Sequence, residues 1–279
     1  MGKSARPEQQ LESAPAGMVK TDKPDESARS GAYRIMSHMV AWYPDRERSL
    51  EAARALIDGG ASFLEVQFPF SDPTADGPVI QEACTTALKA GFKVDEGFRL
   101  VEDILDYRNI PLFIMSYAGP VYAKGIDRFV SRAKDAGARA LIVPDLMPGY
   151  DEGLYRKGLS MGIEVVPVVA PTVSPSRLSR ILELEREYIY AALRVGITGA
   201  FTDLTKVKSF ISTLRSSGSK ILAGFGIRTA SQVKTLAPHV YALVVGSALV
   251  EVIADCLVVS QKSIYTSLKN KIETLVNGG

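Results

Sequence analysis

Two acidic side chains lie close together in the sequence, one in a strand-like run and one in a turn-like segment. Glu65 sits within Phe63-Leu-Glu-Val-Gln-Phe68. Strand alternation would send Leu64, Val66 and Phe68 to one face and Phe63, Glu65 and Gln67 to the other. A carboxyl group enclosed by aromatic and aliphatic neighbours is harder to ionise, which suits it to giving and taking a proton. The alternative is a structural carboxylate held by backbone donors or an arginine, and strand position alone leaves both readings open. Asp76 follows in Pro69-Phe-Ser-Asp-Pro-Thr-Ala-Asp-Gly-Pro78, where prolines and a glycine preset a turn. As a bare pattern, Asp72 and Asp76 are turn formers or caps.

A second kind of chemistry, anion binding, is indicated at Gly196-Ile-Thr-Gly199, Gly224-Phe-Gly226 and Gly246-Ser247. Glycines let backbone N–H groups approach a phosphate, and Ser247 would open a helix on Ala248–Ile253 whose positive end faces the anion. Each glycine alone is equally a turn, and Ser247 alone equally an N-cap. The three sites converge only if the chain closes into a barrel, where the loops after the seventh and eighth strands commonly bind phosphate.

The elements needed to position these groups are legible as alternation. Short β-branched runs, at Ile35–Trp42, Phe63–Phe68, Leu112–Ser116, Ala140–Val143, Val165–Val169, Tyr188–Ala192, Ile221–Ala223 and Ala242–Val245, predict eight strands. Amphipathic stretches between them predict helices near Arg48–Asp58, Val94–Tyr107, Ile126–Ala136, Asp151–Ser160, Pro175–Leu184, Leu204–Ser216, Ala230–Leu236 and Gln261–Val276. Repeated βα units of this kind give a (β/α)8 TIM barrel, with the active site at the carboxyl ends of its strands. A doubly wound open sheet would place GxGxxG after its first strand, and none follows Trp42.

Composition narrows the class. The 279 residues fit one barrel domain over residues 31–279, preceded by a tail at residues 1–30 rich in Ser, Pro, Ala, Glu and Lys. That tail is expected to be disordered and lacks the apolar core of a signal peptide. Lys and Arg number 33 against 31 acids, so the charge balance points away from nucleic acid and from acidic membrane surfaces. No apolar stretch is long enough to span a bilayer. Cys84 and Cys256 are far apart and lack metal-ligand spacing, so neither a disulfide framework nor a metal is implied, and a cytoplasmic location is expected.

Leu64-Glu-Val-Gln-Phe-Pro-Phe-Ser-Asp-Pro-Thr-Ala-Asp-Gly-Pro-Val-Ile-Gln81 resembles the signature of tryptophan synthase α subunits, which read close to LE-x-G-x-PFSDP-x-ADGP-x-IQ. Shorter matches run along the barrel at Met115–Tyr117, Lys124–Asp127, Val143–Leu146, Ala170–Thr172, Tyr188–Gly199, Ala223–Ile227 and Gly246–Val250. The resemblance implies retro-aldol cleavage of indole-3-glycerol phosphate to indole and glyceraldehyde 3-phosphate. Within it, Glu65 falls at the catalytic glutamate and Asp76 at the aspartate that binds the indole N–H. Tyr190 falls at a substrate-contacting tyrosine and Tyr117 at the indole pocket; without the resemblance both are core aromatics with polar tips. Arg194 and Thr198 fall on a closing loop, where Thr198 would bond Asp76; standing alone they belong to a solvated loop. Gly199, Gly226, Gly246 and Ser247 fall at phosphate-binding positions. The family also implies a β-subunit partner, an α2β2 assembly contacted around Asp72 and Gly119, and no cofactor in this chain, pyridoxal phosphate belonging to the partner.

Four positions depart from the pattern. Gln67 and Trp42 stand where glycine is common, Gly119 where asparagine is common, and Val195 where a small residue such as serine is common. Alternatives to the biosynthetic subunit are a stand-alone indole-releasing lyase, another phosphosugar barrel, and a weakly active subunit that serves to activate its β partner.

Overall fold

The computed structural model describes residues 32–193, 204–224, 226–259 and 262–278. Its strands are β1 (Ile35–Val40), β2 (Phe63–Gln67), β3 (Leu112–Met115), β4 (Ala140–Ile142), β5 (Glu164–Val166, continued by Val168–Val169), β6 (Tyr188–Ala192), β7 (Lys220–Gly224) and β8 (Ala242–Val245). Every pairing is parallel. The hydrogen-bonded order begins at the first half of β5, runs through β4, β3, β2, β1, β8, β7 and β6, and ends at the second half of β5. One stave therefore closes the ring. Its two halves pair with different neighbours, Val166 with Ile142 of β4 and Val168 with Tyr190 of β6. Pro167, between them, has no N–H to give a ladder, but its carbonyl accepts from Tyr190 N at 2.9 Å.

The strands at Tyr188–Ala192 and Ala242–Val245 match the sequence expectation to the residue, and the single run expected at Val165–Val169 is the interrupted stave. The helices are α1 (Arg46–Asp58), α2 (Pro78–Lys89), α3 (Val94–Tyr107), α4 (Ala118–Lys124), α5 (Ile126–Asp135), α6 (Leu154–Met161), α7 (Pro175–Leu182), α8 (Leu204–Arg215), α9 (Ala230–Leu236), α10 (Ser247–Val258) and α11 (Ile264–Asn277). Two of them, α2 and α4, are absent from the sequence reading. The buried side of α2 consists of Ala83, Cys84 and Ala87, too small to mark a helical stripe. Similarly, α4 is seven residues with Gly119 and Pro120 inside. Among the described residues no helix is long and apolar enough to cross a membrane.

Alternation sorts the strand side chains into two layers. Leu64, Val66 and Phe68 belong to the larger core between sheet and helices, whereas Phe63, Phe113, Tyr188 and Leu222 fill the barrel interior. Inside, Phe63, Phe113, Tyr188 and Tyr241 meet edge to face or tilted, at centroid distances from 5.2 to 6.3 Å. These rings form a packed floor, so polar groups nearer the carboxyl ends stand above an apolar base. Outside, Phe68 is the hub of a cluster with Phe92, Phe98 and Phe129 at 5.7, 5.2 and 6.2 Å.

That cluster accounts for a glycine inside a helix. A Cβ on Gly97 of α3 would stand 2.7–2.9 Å from three atoms of the Phe68 ring. Gly97→Ala gains about 1 kcal/mol of helix propensity but overpacks the cluster at about 1–3 kcal/mol. The steric effect should win, and urea unfolding of Gly97→Ala is expected to show lower stability than the parent. A more stable variant would contradict this packing.

Candidate active site

Each candidate side chain is set by strand phase. On β2 the inward set is Phe63, Glu65 and Gln67, and on neighbouring β1 register places His38 opposite Glu65. Glu65 and His38 are both buried, at 2% and 5% exposure, and Nδ1 of His38 lies 3.4 Å from Oε1 of Glu65. The far atoms of this pair, Glu65 Oε2 and His38 Nε2, are buried without hydrogen-bond partners, as is Oε1 of Gln67. Such atoms point to a site completed by something other than the described side chains.

The turn after β2 brings Asp76 to the same place. Backbone bonds from Asp76 N to Pro73 O (3.0 Å) and Thr74 N to Asp72 O (2.9 Å) tighten it, and Gln81 Nε2 holds the Asp76 carbonyl at 2.9 Å. Asp76 does not cap α2, whose N-cap is Gly77 with no side-chain cap bond. Its carboxylate turns inward instead, and Oδ2 accepts from Gln67 Nε2 at 2.7 Å and from the Tyr117 hydroxyl at 2.8 Å. Tyr117 itself accepts from Ala75 N at 3.1 Å and stacks on Phe70 at 5.6 Å. Asp72 behaves as the turn reading expects: it is exposed and takes a bond from Ser71.

Electrostatics tie the groups together. Burial raises the Asp76 pKa above its ordinary value, against the pull of His38 and of the Gln67 and Tyr117 donors, while Glu65 adds to the rise. His38 is also held above its ordinary value: burial works against its charge, but the Glu65 carboxylate, its hydrogen bond and Asp76 outweigh burial. At the end of β6, burial and the charges of Glu65 and Asp76 keep the Tyr190 phenol protonated far above the usual range. The absent side chain at Gly224 leaves room for Tyr190, whose hydroxyl lies 3.3 Å from where a Cβ would be.

After β7, Gly226 takes φ +70°, a left-handed conformation that favours glycine. Gly246 precedes α10, which begins at Ser247 and runs to Val258, further than the Ile253 expected. Ser247 is the first helical residue rather than the cap, and Gly246 supplies no capping side chain, so nothing of the helix itself covers that end. The ring of His38 stands beside Gly246, 3.6 Å from where its Cβ would be, and so lies between the glycine end and Glu65. Arg194, Thr198, Gly199 and Val195 lie outside the described residues. A surface cleft of about 700 Å³ lined by Tyr122, Lys124, Asp127 and Glu152 lies along α4 and α5 and includes none of these groups.

Sequence reasoning missed His38 and the use of Gln67. A histidine in the same phase as Met36 and Val40 of β1 was the available signal. The other departures have local causes. A Cβ at Gly119 would meet the Phe70 ring at 2.8 Å. Trp42 adopts φ +63°, the region glycine favours, and is held by its N–H to Ser49 Oγ at 3.0 Å and an edge contact with Phe92.

A closed parallel barrel with two carboxylates at its carboxyl-end mouth, and with glycine turns and a bare helix start after neighbouring strands, is the frame of an enzyme acting on a small phosphorylated molecule. The family model described as tryptophan synthase alpha chain matches residues 26–277, and the chain belongs to that family. It is 39% identical over 238 residues to the tryptophan synthase alpha chain of Helicobacter hepaticus, covering 82% of this chain and 89% of that one. The alpha chain of Methanosarcina acetivorans is 35% identical over 244 residues, covering 87% and 89%. Among solved structures, Mycobacterium tuberculosis tryptophan synthase superposes with a TM-score of 0.80 at 28% identity, covering 89% and 93%.

The hydroxyl of Tyr117 favours the ionised form of Asp76, so its removal has a signed effect. Tyr117→Phe should lower stability near neutral pH by about 1–3 kcal/mol. Without the donor the Asp76 pKa rises further, so the deficit exists above that pKa and shrinks as pH falls through it. Chemical unfolding across the acidic range checks this, and a deficit that grows on acidification would contradict it.

Proposed function

We propose that this chain performs the family's reaction, cleaving indole-3-glycerol phosphate to indole and glyceraldehyde 3-phosphate, with Glu65 as proton carrier and Asp76 as the fixed charge. The observation that carries this assignment is the convergence of those two carboxylates, one from β2 and one from the turn after it, on one barrel mouth. Glu65, protonated, gives its proton to indole C3, which leaves a cationic ring. The Glu65 carboxylate so formed takes the proton of the hydroxyl on the adjoining side-chain carbon. The O–H electrons form the aldehyde C=O, the C–C bond breaks, and its pair returns to the ring as neutral indole. Glu65 ends as it began.

Asp76 has the opposite task of remaining charged beside the ring N–H while the cation exists. Two neutral donors on its Oδ2 favour that state. Tyr190 would contact the substrate near the breaking bond and Tyr117 would bound the indole pocket, while Arg194 and Thr198 belong to a loop that closes over it. Gly199, Gly226, Gly246 and Ser247 would hold the phosphate by backbone N–H groups and a helix start. By the same reading the chain is cytoplasmic, residues 1–30 are a solvated tail, and the chain carries no cofactor. Its partner is a β subunit using pyridoxal phosphate in an α2β2 complex, docked around Asp72 and Gly119.

Turnover of indole-3-glycerol phosphate by the purified chain, with and without β subunit, tests the activity; no indole in either case would refute it. Glu65→Gln should lower kcat by about a thousandfold or more with KM changed only a few-fold, since shape is kept and the transferable proton lost. Near-normal kcat would end the proton-carrier assignment. Ser247→Asp should instead raise KM by about tenfold or more through like-charge repulsion, with kcat nearly kept. An unchanged KM would place the phosphate elsewhere.

A further inference from the structure

Glu65 is enclosed in the barrel, and among the described residues its one ion-pair partner is a histidine rather than an arginine or lysine. That difference matters chemically. A fixed cation can only hold a carboxylate, whereas an imidazole can also pass it a proton. Both side chains are nearly inaccessible, at 6% and 3% exposure, and backbone register fixes their approach because His38 and Glu65 are directly opposite on adjacent parallel strands. On its other side the imidazole ring stands beside Gly246, at ordinary contact distance from where a Cβ would be. The 3.4 Å separation is somewhat longer than the roughly 2.7–3.2 Å of a well-formed N–H···O bond. Contacts of this kind in unliganded sites commonly tighten when substrate binds.

We infer that His38 is a positioning residue for Glu65, the two forming one acid–base pair that shares a single proton and delivers it through the Glu65 carboxyl. The inference rests on the assignment of Glu65 as proton carrier. The transfer is balanced: the proton on Nδ1 of the imidazolium moves to Oε1, leaving neutral imidazole and a neutral carboxyl, and the reverse move restores the ion pair. Among the described residues, the titratable groups facing the pair are Asp76, from the turn after β2, and Tyr190, from β6. Asp76 adds negative charge that favours imidazolium, and Tyr190 stays neutral. Burial alone would depress His38, yet the nearby carboxylates raise it above its ordinary value, so the pair keeps its last proton at a higher pH than imidazole in water would. Loss of that last proton from two coupled sites occurs at or above the pH at which the carboxyl alone would lose it. Removing the imidazole therefore moves the alkaline limb of activity downward.

Two measurements test this. The chain contains two histidines, His38 and His239, so imidazole NMR signals can be assigned with a single His239→Gln variant. In the full-length chain His38 should titrate above pH 6.5, the ordinary histidine value, and Glu65→Gln should lower its midpoint by about one unit or more. A midpoint indifferent to Glu65→Gln would overturn the pair while leaving the assignment of Glu65 intact. In turnover, His38→Gln retains a hydrogen-bonding amide but no transferable proton. Its kcat profile should lose its alkaline limb at a pH lower by about one unit or more, with KM within about threefold. A profile that superimposes on the parent's would overturn the inference, because a purely structural contact is restored by the amide. If Glu65→Gln shifts the His38 midpoint yet remains active, the pair stands and the assignment of Glu65 falls.

Discussion

Glu65 and Asp76 are brought together in one barrel mouth, where burial and the Glu65 charge raise the Asp76 pKa. The proposed division into one proton carrier and one anion rests on an asymmetry in the partners the two carboxyls receive. Asp76 receives two neutral donors, Gln67 and Tyr117, on a single oxygen. Neutral donors stabilise the anion without giving it a proton. Glu65 receives His38, an imidazole that can give and take one. The chemistry proposed for the site depends on this asymmetry more than on either acid alone.

The scaffold serves that asymmetry by fixing phase. Strand alternation in β2 sends Glu65 and Gln67 to the interior and Phe68 to the outer cluster, so a register slip of one residue would exchange the inward and packing faces. Phe68 anchors the phase from outside through three other phenylalanines and a glycine cut to fit it, and the aromatic floor anchors it from inside. Closure through a stave interrupted at Pro167 lets neighbouring β6 keep its full length, with Tyr190 facing the acids.

Local signals were legible in the sequence and long-range ones were not. Eight staves and the inward aim of Glu65 follow from period-two alternation, a property of a few adjacent residues. The small-residue face of α2 leaves no hydrophobic stripe to mark the helix, and nothing local ties its Cys84 to Gln67, whose Nε2 donates to the sulfur at 3.5 Å. As a bare pattern Asp76 read as a turn former. The bonds that take it out of that role come from Gln67 across the turn and from Tyr117, which sits 41 residues away on the loop after β3. His38 became meaningful only once register set it against Glu65. Of the departures, Gln67 proved to be a donor to Asp76, and Gly119 to be room for the Phe70 ring.

The most direct test of the central claim is a crystal structure of the full chain with an uncleavable indole bearing an alkyl phosphate. The bicyclic ring is expected between the Glu65 and Asp76 carboxyls, its N–H on Asp76, its C3 within reach of Glu65, and the phosphate at Gly226, Gly246 and Ser247. A ring bound outside that mouth, or one touching only one of the two acids, would contradict it.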